Sequence, residues 1–186
     1  MPDRSIPPKP TEYKGVQFRS MLEAHWARCF DALGWKWEYE PFVAWSGWIP
    51  DFRLTSIGLP PLYVEVKAVD AFEYLFRDPE IIRAARCSGE CILALGPRLW
   101  GSWHPQDTLG VYLNSTGFSE TVLLEFVSGT KGWESSLAWW RDRDGTTVDI
   151  VKGASPHFRE RSIPGVVNFQ TIWNDCKNAG QWKPRS

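Results

Sequence analysis

The chain has 186 residues, of which 43% are hydrophobic and 23% charged, with a net charge of −1. That length and balance exclude a disordered or fibrous chain and favour one globular domain with a sizeable core. No basic segment followed by an apolar run opens the sequence, and no stretch approaches the ~20 apolar residues of a membrane span, so a cytoplasmic protein without membrane contact is expected.

Charge is unevenly spread. Residues 1–36 hold six Lys and Arg against four Asp and Glu, residues 152–186 six against two, and residues 37–151 nine against sixteen. An acidic middle between basic ends suits a site that gathers carboxylates under a basic rim, although basic ends also serve solubility alone. Four cysteines (Cys29, Cys87, Cys91, Cys176) are scattered and read as reduced thiols. Cys87 and Cys91 lack the second ligand pair that a structural zinc requires.

Residues 1–13, with Pro2, Pro7, Pro8 and Pro10, read as a flexible leader. From Phe18 to Leu33 an apolar residue recurs every fourth position (Phe18, Leu22, Trp26, Phe30), which predicts an amphipathic helix stopped by Gly34. Arg19 and Glu23 would share a face of that helix, where a solvated ion pair is the simplest role for them. Trp35 to Glu40 alternates aromatic and charged residues and predicts a strand with one buried face, ended by Pro41, leaving Glu38 and Glu40 as a solvent-facing stripe.

Two short strands follow, Trp48-Ile49-Pro50-Asp51-Phe52 and Val64-Glu65-Val66-Lys67-Ala68, with the turn-formers of Ser56–Pro61 between them. Alternation puts Glu65 and Lys67 on one face and Val64, Val66 and Ala68 on the other. Paired as a hairpin, the strands set Asp51 beside Glu65. Two carboxylates and an ammonium would then share a patch of the kind that holds Mg²⁺ through oxygen ligands and water. A cross-strand ion pair is the plainer explanation of Glu65 and Lys67 taken singly.

Asp78-Pro79-Glu80 opens a second helix that runs to Ser88-Gly89, and Cys91–Leu95 is an apolar run fit for a strand buried on both faces, closed by Gly96-Pro97. Further strands are expected at Leu109–Leu113 and Thr121–Val127, and a closing helix from Val166 to Asn178. Twelve tryptophans are many for this length. Trp26, Trp37 and Trp48 fall at core positions, while Trp100, Trp103, Trp139 and Trp140 are free to face a partner such as unpaired bases. His25, His104 and His157 lack partners at ligand or triad spacing, and none is assigned a catalytic role.

The order helix, three strands, helix, strand, with Glu23 on the first helix, Pro50-Asp51 at one strand and Glu65-x-Lys67 on the next, resembles the core of the PD-(D/E)XK nuclease superfamily. It is similar to a prokaryotic and phage branch that includes endonuclease subunits of Tn7-type transposons and phage Holliday-junction resolvases. The resemblance covers roughly residues 11–97 and departs at none of the four motif positions. It implies an α/β (α+β) fold with a restriction-endonuclease-like αβββαβ core over 14–97. A mixed central sheet would be flanked by helices, with a C-terminal β/α extension over 98–186 packed on the same domain.

It also implies a Mg²⁺- or Mn²⁺-dependent endonuclease hydrolysing phosphodiester bonds of DNA, including branched or structured DNA, of phage or mobile-element type. Glu23, Asp51, Glu65 and Lys67 would be catalytic. Asp51, Glu65, the Val66 carbonyl and Glu23 would attend the metal, and Arg19 would grip a phosphate oxygen. Resolvases of the superfamily it resembles act as homodimers for paired cuts, so a homodimer is one assembly the resemblance allows, while the sequence itself fixes none. The competing expectation is a nuclease-fold protein that binds DNA or assembles into complexes without cutting.

Overall fold

The computed structural model describes residues 8–43, 47–56, 59–69, 72–75, 77–88, 90, 92–100, 108–113, 119–129, 132–140, 147–154 and 169–180. Within them the chain is a mixed α+β protein with one large sheet of mixed orientation and helices laid against it. No helix among the described residues is long and apolar enough to cross a membrane.

A hairpin leads in. Strands β1 (Thr11–Tyr13) and β2 (Val16–Phe18) pair antiparallel across Lys14 and Gly15, both at positive φ as a type I′ turn demands. Thr11–Tyr13, expected in a flexible leader, is therefore strand; the proline count masked a short alternation that the hairpin uses. Helix α1 (Met21–Leu33) starts later than its periodicity suggests, because Ser20 caps it: extended backbone there lets the Ser20 Oγ accept the Glu23 N–H. Phe18 lies on β2 but still joins the core. Gly34, at φ 73, closes the helix in the left-handed conformation.

The sheet runs in chain order: β3 (Lys36–Tyr39), β4 (Phe52–Ser56), β5 (Leu59–Val66), β6 (Ile92–Trp100), β7 (Thr108–Leu113), β8 (Ser119–Gly129), β9 (Gly132–Trp140) and β10 (Thr147–Ala154). Every neighbouring pair is antiparallel except β5 and β6. Those two are parallel because a crossover through α2 (Phe72–Leu75) and α3 (Pro79–Ser88) joins them. The far edge strand β10 comes back against β4 and β5, so the sheet curls on itself.

Several expected boundaries move. β5 begins at Leu59 and takes in Pro60 and Pro61, which were read as turn. β6 runs on through Gly96-Pro97 to Trp100 instead of stopping there. The irregular register between Leu95 and Trp100 absorbs the proline, as strands generally require. Strands β9 and β10 had no counterpart in the sequence reading. Trp103, His104 and His157 lie outside the described residues, as do the side chains of Trp100, Trp139 and Trp140.

Two apolar clusters lie on opposite faces of the sheet. Leu93 and Leu95 of β6 join Phe52, Leu54, Leu62 and Val64 beneath α1, whose Trp26, Phe30 and Leu33 are fully buried. Ile92 and Ala94 pack the other way, with Ile81, Ala84 and Ala85 of α3 and Leu75 of α2. β6 is thus buried on both faces, as its apolar run predicts. β7 presses so closely on it that a Cβ at Gly110 would stand 2.2 Å from the Ala94 carbonyl oxygen.

Helix α4 (Phe169–Ala179) closes over α1. The Trp173 ring lies 4.6 Å from Trp26 and 4.0 Å from His25, and the Cys29 thiol donates to the sulfur of Cys176. Both cysteines are free thiols. Mainly through burial, the His25 imidazole is lowered to about 4, so it sits neutral between the two helices as a packing residue.

Candidate active site

The site forms where β3, β4 and β5 end together beside the start of α1. The register pairs Phe52 with Val64 and Tyr39 with Phe52. Continued by one residue, it sets Asp51 between Glu65 on β5 and Glu40 just past β3, and the Glu40 N–H donates to the Asp51 carbonyl at 2.9 Å. Three acids thus stand in one row across three strands. Two of them, Asp51 and Glu65, were marked by their motifs; Glu40 was read as part of a solvent-facing stripe.

Asp51 is 4% exposed. One carboxylate oxygen accepts the Val66 N–H at 2.7 Å and the other accepts Arg19 Nη2 at 2.7 Å. Burial, followed by the charge of Glu65, pushes Asp51 up to about 7, with a smaller push from Glu23, against the downward pull of the Val66 N–H and Arg19. Two carboxylates repel each other here at close quarters.

Glu65 is bracketed by the Trp48 indole N–H, 3.1 Å from one oxygen, and by Lys67 Nζ, 3.1 Å from the other. Burial raises Glu65, while Lys67, Trp48 and Arg19 draw it down. Lys67, two residues along on the same face, also reaches Glu80 at the first turn of α3, 2.8 Å away. Burial alone would lower Lys67, but its bonds to Glu80 and Glu65 outweigh that and raise it. The ammonium is held charged.

Glu23 and Arg19 sit differently from the shared helix face expected for them. Arg19 precedes the helix. Its backbone N–H donates to Glu23 at 3.1 Å, while its guanidinium bridges Asp51 and Glu40, with Nε 2.8 Å from the Glu40 carboxylate. Glu23 reaches back along the first turn, accepting Ser20 Oγ at 2.8 Å and the Tyr39 hydroxyl at 2.5 Å. This is a variant of the capping box signalled in sequence by Ser20-x-x-Glu23, with Glu23 accepting the N–H of Arg19 and the Ser20 hydroxyl. Burial and the bond to Glu23 lift Tyr39 to about 12, so it stays a donor. Glu23 is thereby committed to shaping the start of α1, although its charge still registers at Asp51.

Among the described residues no three His, Cys, Asp or Glu side chains converge on a point that could hold a metal ion. The donor chemistry that fits a hard cation is therefore the Asp51 and Glu65 pair, all oxygen, mutually repelling and largely shielded from solvent. One or two protein carboxylates with water are the usual Mg²⁺ complement. Val66, expected to offer its carbonyl to a metal, also donates its N–H to Asp51.

Glu40, Tyr39, Trp48 and Glu80 were absent from the sequence reading of the site. Glu40 and Trp48 stand close to the Pro50-Asp51 signal without a motif of their own, and Glu80 arrives only through the crossover.

No family model, curated protein or solved structure matches this chain.

Proposed function

We propose that the chain is a Mg²⁺- or Mn²⁺-dependent DNA endonuclease with a PD-(D/E)XK core, its αβββαβ unit running from α1 to β6. The observation that carries this reading is the register that brings Asp51 opposite Glu65 with Lys67 on the same face. Phosphodiester hydrolysis joins a water oxygen to phosphorus and breaks a phosphorus–oxygen ester bond, so negative charge builds on already anionic oxygens. A bound divalent ion supplies Lewis acidity toward the phosphate and a more acidic water.

The chain's own groups do the rest. Asp51 and Glu65 would hold such a cation through carboxylate oxygens, and its charge would relieve their mutual repulsion. Lys67, fixed by Glu65 and Glu80 and kept charged, is a poor base and a good positive anchor, placed to orient water or offset charge on phosphate. Tyr39, Ser20 and Glu23 lock the start of α1 so that Arg19 reaches Asp51.

The test pairs cleavage with stability. On a panel of linear duplex, single strand, nick, flap, four-way junction and supercoiled plasmid, the protein should cut at least one substrate in Mg²⁺ or Mn²⁺. Asp51→Ala and Glu65→Ala should each lower the rate by 10³-fold or more, on the order of the loss expected when charge stabilisation is removed. Mn²⁺ should raise the melting temperature of the wild type but of neither variant, as binding to the folded state requires. Undiminished cutting by both variants would remove the centre from the mechanism.

A second reading, a nuclease-fold protein that binds DNA without cutting, is favoured by one observation: both Asp51 oxygens are already hydrogen-bonded. DNA retention in Ca²⁺ without cleavage of any substrate in Mg²⁺ or Mn²⁺ would select it.

A further inference from the structure

Arg19 occupies an unusual position. It is the cation nearest Asp51, yet it is 61% exposed and anchored on its other side by Glu40. Glu40 holds a backbone φ of 43, a left-handed conformation that a non-glycine residue adopts only at some cost. The strain is fixed where Glu40 both donates its N–H to the Asp51 carbonyl and turns its carboxylate to Arg19. In the row of acids, Arg19 lies on the Glu40–Asp51 side and Lys67 on the Glu65 side. Each carboxylate of the row has a basic partner.

We propose that Arg19 and Glu40 are a positioning pair that sets how readily the Asp51–Glu65 carboxylates accept a divalent cation. This rests on the metal-dependent reading above and goes beyond it. Arg19 is the internal counter-charge of Asp51, and Glu40 is the place it retires to. A cation joining Asp51 meets repulsion from the guanidinium, and the second carboxylate lets Arg19 shift off Asp51 without losing an ionic partner. Arg19 is then a competitor for Asp51 before it is a contact for anything else.

The signs follow from Coulomb's law. Arg19→Gln removes a positive charge and frees an Asp51 oxygen, so affinity for Mn²⁺ should rise by at least about tenfold, the change expected even with water-like screening. Glu40→Gln strands Arg19 on Asp51, so affinity should fall, by roughly threefold or more. In the Arg19→Gln background, Glu40→Gln should do markedly less, because its effect runs through the arginine. A merely structural role would weaken binding in both single variants alike.

The measurement is calorimetric titration of MnCl₂ into the wild type, the two single variants and the double variant. Melting curves without metal confirm that each is folded. Tighter binding by Arg19→Gln supports the proposal, and so does binding by that variant when the wild type binds nothing. If the wild type binds Mn²⁺ and Arg19→Gln binds it equally or more weakly, the proposal falls while the metal-dependent reading stands. If neither binds at millimolar Mn²⁺, the metal-dependent reading fails and takes this proposal with it.

Discussion

Asp51 folds into a setting that favours its protonated form, and the consequence for stability has a definite sign. Its carboxyl titrates near 3.8 in a free chain and is lifted to about 7 here by burial and by Glu65. The folded protein therefore binds more protons than the unfolded chain between those values, and stability falls as pH rises from about 4 to about 7. Asp51→Asn should remove that slope and raise the melting temperature at pH 8 by several degrees, as other stabilising changes of ~1–2 kcal/mol do.

His25 works in the opposite direction across nearly the same window. Lowered from 6.5 to about 4, it favours the folded state above pH 6.5, and that contribution is lost as pH falls toward 4. Melting curves of the wild type and Asp51→Asn between pH 4 and 8 separate the two effects. An unchanged slope in Asp51→Asn would mean that the carboxyl is not the group responsible. On the proposed metal-dependent reading, a bound cation would return the stability that the charged pair costs.

At the level of elements, α1 carries the site because both of its ends are defined. The Ser20 cap and the Gly34 left-handed close fix where the helix begins and ends, and hence where Arg19 and Glu23 stand. Ser20→Ala should cost about 1 kcal/mol and Gly34→Ala about another 1 kcal/mol, adding nearly independently from opposite ends. Urea denaturation of the two variants and their combination checks this.

What the sequence made legible was carried by local pattern. The four-residue apolar period gave α1, the alternation around Trp37 gave β3, and Pro50-Asp51 with Glu65-x-Lys67 gave a hairpin and its facing acids. Its strand bounds differ, however: β4 starts only at Phe52, leaving Trp48–Asp51 outside the strand, and β5 ends at Val66 before Lys67 and Ala68. The unread parts depended on partners distant in the chain. Glu40 matters because the β3–β4 register puts it beside Asp51, and Glu80 because the parallel crossover returns α3 to Lys67. The resemblance set Glu23 beside the metal, while the bonds its carboxylate accepts from Ser20, Arg19 and Tyr39 are an arrangement visible only once β3 is placed. β9 and β10 escaped because the polar run Glu134-Ser135-Ser136 beside the unbroken apolar run Leu137–Trp140, and Lys and Gly in 147–154, break any period-two signal.

For the molecule as a whole, the sheet alone does not bury α1. Its outer side is covered by α4, where Trp173 fills the space between His25 and Trp26 and Cys176 meets Cys29. Trp173→Ala should destabilise the protein by about 3–5 kcal/mol, the range for truncating a large buried aromatic. It should also slow the proposed cleavage only in step with the fraction unfolded. A loss below ~1 kcal/mol in urea would mean that α4 adds little to the fold.

That covering by α4 has a consequence during synthesis. A ribosome makes roughly 5–20 residues each second, and domains tend to assemble as their parts emerge. Here the hairpin, α1 and the first strands emerge early, but the segment that shields Trp26 and Cys29 is not made until residues 169–179. Until α4 is made, the nascent polypeptide would carry the oily stripe of α1 without its seal, a state that chaperones recognise.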